Sequence, residues 1–297
     1  MAVEKLVQAE SVVQPARRRR WATFRRAPII PLAIITLIVL TAIFANVLTP
    51  YSATDISLSE RLRPPFWEKG GSLAHPLGTD PMGRDLLTRM IYGARVSLMV
   101  GCLGLLVGGG VGAALGMIAG YAGGRVDAFL MRVVDTTLAF PIILFAILLV
   151  VILGGSLFTV VIAIALVLWA RYARVIRGEV LSLRERDFIA QARIARCSSR
   201  RIIMVHIFPN ILNTLVVLLS LQVGWVIIVE ASLSFLGAGV PPPTPTWGSM
   251  IAEGRDYIAS AWWISFFPGL AILVTVLAFN FFGDWLRDAL DPTMRQL

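Results

Sequence analysis

Apolar residues fall into six blocks along the chain. Ile29–Leu48, Val96–Ala119, Val133–Leu153, Ile211–Leu236 and Trp262–Trp285 each run for roughly the 20 residues that a helix needs to cross a 30 Å hydrocarbon core. The sixth block, Leu157–Ala170, is shorter. It is expected to run one turn past Arg171, whose side chain would snorkel toward the headgroups. Gly154, Gly155 and Ser156 leave room for only a tight turn between the third and fourth blocks. The pattern predicts an all-α integral membrane protein with six transmembrane helices.

The intervening segments have patterns of their own. Leu86 to Val96 carries apolar residues at helical spacing and reads as an amphipathic helix leading into the second span. Pro241 to Pro245 holds four prolines in five residues, so it reads as a stiff extended connector. The expected organisation is a tail over 1–28 and a membrane domain over 29–297. That domain has outer loops at 49–95 and 237–261 and a cytoplasmic loop at 171–209.

Composition supports the membrane class. Hydrophobic residues make up 57% of the chain and charged residues 15%, against about 25% charged in an average soluble domain; mean hydropathy is +0.77. A net charge of +9 does not indicate nucleic-acid binding here, because the basic clusters, Arg17–Arg20 and the run from Arg171 to Arg201, flank apolar spans. With the N-terminus inside, twenty of the 27 Lys and Arg residues fall on the cytoplasmic side and seven outside. Both termini are therefore expected in the cytoplasm. Roughly two dozen polar residues precede the first span, unlike a cleavable signal peptide. Cys102 and Cys197 lie in different environments and are not expected to pair, and His75 and His206 are too far apart in sequence to give metal-ligand spacing.

Gly104, Gly108, Gly112, Gly116 and Gly120 recur every four residues, which sets them on nearly one helix face and lets another backbone approach closely. That face fits either static packing or a sliding interface beside a gated pore. Glu230 is the one ionisable residue clearly inside a span. Asp127, Arg132 and Asp135, and likewise Asp284, Arg287 and Asp288, are expected as interfacial charges with local partners. The chain has no glycine-rich phosphate loop ending in Lys and Ser or Thr, no Gly-x-Ser-x-Gly and no His-Glu-x-x-His. A catalytic site, a cofactor site and a metal site are therefore not expected, which disfavours a membrane enzyme. The missing relay of buried acids or histidines disfavours a self-sufficient secondary transporter. Energy for transport is expected from another subunit, received by the basic loop after Arg171, where a short helix with a few apolar residues fits a groove on a cytoplasmic partner.

The motifs in this loop and elsewhere resemble a known family. They are Asp187-Phe188-Ile189-Ala190-Gln191-Ala192-Arg193, then Ser198 to Arg201, then His206-Ile207-Phe208-Pro209-Asn210. The outer loop adds His75-Pro76-Leu77-Gly78-Thr79-Asp80, Gly83-Arg84-Asp85 and Tyr92-Gly93-Ala94-Arg95. Ser232 to Gly237, Trp247-Gly248 and Leu286 to Pro292 follow in order. Together they resemble the dipeptide/oligopeptide/nickel permease family of ABC importers, specifically its second permease subunit, over roughly Phe24 to Pro292. The resemblance implies a type I importer fold, a transmembrane permease domain in a bacterial cytoplasmic membrane, and a pathway shared with a second permease. It also implies two ATP-binding subunits that hold ATP and magnesium, and an extracytoplasmic substrate-binding protein. Dipeptides or short oligopeptides are the implied substrates, with nickel chelates, glutathione and peptide-like conjugates left open.

By the same resemblance, Asp187, Phe188, Ile189, Ala190, Gln191, Ala192, Arg193, Arg196, Ser198, His206, Pro209 and Asn210 form the ATPase-coupling loop. Phe188 and Ile189 are expected as its apolar docking contacts. The chain departs from the family pattern at Ala190, where an acid is usual, and at Arg196, where glycine is usual. Trp285 likewise stands where glycine is common.

Overall fold

The computed structural model describes residues 27–290. The basic tail with Arg17–Arg20, Arg25 and Arg26, and the end of the last motif at Asp291-Pro292, lie outside the described residues. The architecture is all-α. Helix α1, Ile29–Ile43, starts after Pro28 and is followed by a further turn at Ala45–Leu48. The outer loop then leads into α2, Leu86–Ala122. The amphipathic stretch read from the sequence is the first part of this helix rather than a separate element. At 37 residues, α2 is about 55 Å long and exceeds the bilayer.

The third span departs from expectation. It is a pair of helices, α3 at Gly124–Ala139 and α4 at Ile142–Leu153, bent by 93° between them. Pro141 explains the break: it brings no N–H and drives the residue before it out of the helical region, and Phe140 is extended at φ −80°, ψ 138°. The fourth span is longer than expected. Helix α5 runs over Leu157–Arg184, capped at its start by Ser156, which accepts from the Thr159 N–H.

After α6, Asp187–Ile194, α7 runs over Ser199–Phe235. The proline run that follows is non-helical, as expected, and hands over to α8, Trp247–Gly254. Thr246 and Ser249 close a reciprocal capping box at that helix. Helix α9 is Trp263–Leu290. Among the described residues, four helices, α2, α5, α7 and α9, are long and apolar enough to cross a membrane, and the bent α3–α4 pair supplies a fifth if counted as one span. Helix α1 is the shorter sixth apolar element.

The centre of the molecule is the parallel contact of α2 with α5, which advances from Gly104 against Ile164 to Gly120 against Val180. The glycine face of α2 lies directly on α5: a Cβ added at Gly112 would stand 2.3 Å from the Trp169 carbonyl oxygen, and one at Gly116 2.6 Å from that of Ala173. In lipid, where apolar surface gains little from leaving the solvent, such close backbone approach is a principal source of helix association. The stripe is thus a close helix–helix contact in this structure. Val100, Leu105, Ile164, Leu168 and Tyr172 continue the contact and meet Val226, Val229 and Leu233 of α7.

A matched pair of substitutions tests the contact. Gly112→Ala must displace backbone and is expected to lower thermal stability in detergent by an overpacking cost of about 1–3 kcal/mol. At Gly110 an added Cβ meets nothing within 4 Å. Gly110→Ala is expected to be neutral or stabilising by up to about 1 kcal/mol. Equal melting behaviour in the two variants would contradict the glycine contact.

Candidate coupling surface and the outer clamp

Helix α6 hangs between α5 and α7, held by the residues at its underside. Ile189 is fully buried and Ala192 nearly so, and both join Val180 and Leu183 of α5 and Ile202, Ile207 and Ile211 of α7 in one apolar cluster. Phe188 packs half-buried against the same cluster. The opposite face carries Ala190, Gln191, Arg193 and Ile194, with Ile194 82% exposed. This corrects the expectation for Ile189: its side chain is an anchor into the fold and is not free to meet a partner.

The ends of α6 follow from local chemistry. Asp187 lies in the first turn and Arg193 in the last, each matching the helix dipole. At the far end the Cys197 N–H donates to the Ala192 carbonyl at 3.0 Å and the Arg196 N–H to the Arg193 carbonyl at 2.9 Å. Those two bonds form a Schellman turn, whose key residue adopts left-handed backbone. Arg196 does so, with φ +53°. The sequence departure at Arg196 thus sits where glycine would be unstrained, and an L-residue there costs about 1–2 kcal/mol.

Ser198 then caps α7, accepting from the Arg201 N–H at 3.3 Å. Ile202–Ile207 forms a π-helical stretch, a wider turn that relieves the Pro209 ring from the preceding carbonyls. The side chain of Asn210 donates to the His206 carbonyl at 2.6 Å within this stretch. His206, Pro209 and Asn210 therefore shape the start of α7 after the loop that holds α6, while Ala190, Gln191, Arg193, Arg196 and Ser198 are exposed.

Around this surface, the basic run is partly paired. Arg177 holds Asp127 with two bonds, one of 2.6 Å, and Arg174 holds Asp135, tying α3 to α5. Both acids thus have local basic partners. Arg184 donates to the Gly120 carbonyl at 3.2 Å, closing the end of α2. Arg193 stands 5.7 Å over the Tyr121 ring. Asp284, Arg287 and Asp288 are exposed at the end of α9, and the Trp285 ring lies 5.9 Å from that of Phe282.

At the opposite end the outer-loop motif forms a clamp of buried charges. The Asp80 carboxylate accepts from the Met82 N–H at 2.7 Å and the Arg84 N–H at 3.0 Å, and it also meets the Arg84 and Arg89 guanidinium groups. Arg89, on α2, and Arg84 both reach Glu253 of α8, each with a contact of 2.9 Å. Asp85 caps α2 through the Thr88 N–H at 2.7 Å and touches His75 Nδ1 at 3.0 Å, while His75 Nε2 contacts Glu60. The sequence reading did not single out Arg89 or Glu253. The available signal was a charged residue inside the apolar-periodic stretch Leu86 to Val96.

Glu230 is fully buried, accepting from Ser97 of α2 at 2.9 Å and from Ser234 at 2.7 Å. It is a hydrogen-bonded tie between α2 and α7.

With this geometry in place, comparisons decide the family. A model described as "binding-protein-dependent transport system inner membrane component" matches residues 112–296. The chain belongs to that family. The permease is 46% identical over 278 residues to the dipeptide transport system permease protein DppC of Escherichia coli K12, covering 93% of each chain. It is 41% identical over 288 residues to the di/tripeptide transport system permease protein DppC of Pseudomonas aeruginosa UCBPP-PA14, covering 96% of this chain and 95% of that one. Among solved structures it resembles a chain of the MetNI methionine ABC transporter in an inward-facing conformation, with TM-score 0.54 and 18% identity. That match covers 69% of the permease and 96% of the other chain, and it shows the fold of a type I ABC importer permease.

The turn at Arg196 yields a prediction. Arg196→Gly removes the left-handed strain but gains unfolded-chain entropy, so a net stabilisation of up to about 1 kcal/mol is expected. Thermal unfolding of the purified permease in detergent checks it, and a lower melting temperature would show that the Arg196 side chain holds the turn.

Proposed function

We propose that the chain is the second permease subunit of an ATP-driven importer of dipeptides and short oligopeptides in a bacterial cytoplasmic membrane. The observation that carries this reading is the 46% identity to a dipeptide permease along 93% of the chain. In this reading a second permease completes the pathway, two ATPase subunits bind and hydrolyse ATP with magnesium, and an extracytoplasmic binding protein delivers the peptide. The excess of basic residues near α6 supports a cytoplasmic location for that helix and for both termini.

The mechanism follows from how α6 is held. Its exposed face docks on an ATPase, and its underside is clipped to α5 and α7 by Ile189 and Ala192. Closure of the ATPase pair displaces α6 as a rigid piece, and α5 carries the movement to α2 through the glycine contact. The permease then changes which side of the membrane its pathway faces.

Purification of the tagged chain from its native membrane in mild detergent, followed by mass spectrometry, tests the assembly. Recovery of a second permease and ATPase subunits is expected. Recovery of the chain alone, still transporting in vesicles without ATP, would overturn the reading.

Two apolar residues of α6 separate docking from folding. Ile194→Asp leaves the fold intact and is expected to cut ATP-driven uptake about tenfold or more, as loss of an apolar interface anchor does. Ile189→Asp buries an unpaired charge and is expected to lower the amount of folded protein in the membrane. Normal uptake by Ile194→Asp at wild-type membrane levels would sink the docking assignment.

A further inference from the structure

The end of α5 at Arg184 changes the position of Arg171. The helix has 28 residues, about 42 Å, and Arg171 lies about 21 Å from its start at Leu157. A core of about 30 Å that begins at that end holds Arg171 within it. The side chain does not snorkel, contrary to expectation. Its guanidinium lies 5.0 Å over the ring of Trp225 on α7. Trp225 is ten residues before the end of that helix at Phe235, so the cation points away from the α6 end.

A charge at this depth normally has a partner. Among the described residues no carboxylate lies within ion-pair distance of Arg171, and its hydrogen-bond acceptor is Gln222 Oε1 at 3.3 Å. Arg174 and Arg177, one and two turns further on, are paired with Asp135 and Asp127. Glu179, two turns below on the same face, accepts from Thr214 at 3.0 Å. The guanidinium has five N–H donors, and most of them are uncommitted. Arg171, Tyr172, Val175, Leu218 and Gln222 line a crevice of about 10 Å³ beside it, room for about one water-sized group.

Helix α5 is the most enclosed of the spanning helices, with 72% of its most apolar stretch buried. Arg171, Arg174, Val175 and Gly178 lie along its open strip. A guanidinium turned to hydrocarbon costs about 3 kcal/mol or more, so this strip fits a water-filled route better than lipid. A planar cation with free paired donors is matched to a carboxylate. We propose that Arg171, held by Trp225 and Gln222, is an intramembrane subsite for the free α-carboxylate of a passing peptide. The proposal rests on the peptide-import reading and names the group that reading leaves open.

The test uses the complete importer with its partner subunits and binding protein in proteoliposomes, with radiolabelled dialanine as the probe. Arg171→Gln is expected to lower ATP-driven uptake about tenfold or more. Arg171→Lys, which keeps the charge and loses the planar fork, is expected to fall between wild type and Arg171→Gln. Gln222→Glu keeps Arg171 and its stacking but sets a carboxylate beside it, and it is expected to lower uptake to a similar degree. Co-elution of all subunits checks assembly, and Gln222→Glu decides the matter if Arg171→Gln does not assemble. Wild-type uptake in Arg171→Gln or in Gln222→Glu would overturn the subsite. So would equal losses in the Lys and Gln variants, which mark a packing role. A wild-type importer that takes up no dialanine or other dipeptide would instead remove the peptide reading on which the subsite depends.

Discussion

The close contact of α2 with α5 is the constraint on which the rest of the molecule depends. It is made backbone to backbone, because the glycines of α2 leave nothing between the two helices. A helix pair this tight behaves as one body, and everything else attaches to it. Helix α3 folds back through Gly123 and Gly124, both at positive φ, and ties to α5 through two ion pairs. Helix α7 covers the other side through Val226, Val229 and Leu233. Enclosing α5 this completely leaves few of its positions open, which is why a single arginine on its open strip carries so much information.

The two ends of the molecule are fastened by different physics. At the end away from α6, Arg89 is only 2% exposed at its side chain and is shared between Asp80 and Glu253. A buried pair of this kind adds little net stability over a well-packed apolar contact, but removing one partner strands the others. Its effect is to fix one geometry for loop, α2 and α8. At the α6 end the fastening is apolar, with Ile189 and Ala192 seated among aliphatic side chains. Apolar contacts are non-directional, so that joint can transmit a push while tolerating small adjustments. A rigid polar clamp at one end and an apolar clip at the other suit the proposed transmission of a displacement from α6.

Much of this was legible in the chain. The apolar blocks and the glycine face are local patterns, and within residues 27–290 they appear as helix or helix contact. What hydropathy could not separate was helix continuity from membrane depth. Polarity rises at Arg171, but helix-forming residues continue to Arg184, so α5 outran its apolar block. The opposite happened at Pro141, where apolar character continued across a backbone that had to break. Arg89 and Glu253 are 164 positions apart, and no local pattern pairs them. Ile189 was misread because an apolar residue on a short basic helix can face either way. The spacing of Ile189 and Ala192, three residues, marks one face, and the neighbouring chain decided that it points inward.

Two residues of the proposed coupling loop, Ala190 and Arg196, bear on its charge together. Arg196 occupies a left-handed position at a backbone cost, and its side chain is exposed. Ala190 stands on the exposed face of α6 where an acid is usual. One change adds a positive charge and the other removes a negative one, so both make the same surface more basic. Complementarity across an interface sets which partners associate and how fast. Under the proposed function, an ATPase that docks on this surface is expected to present more acidic residues there, with the left-handed turn at Arg196 as part of the surface it meets.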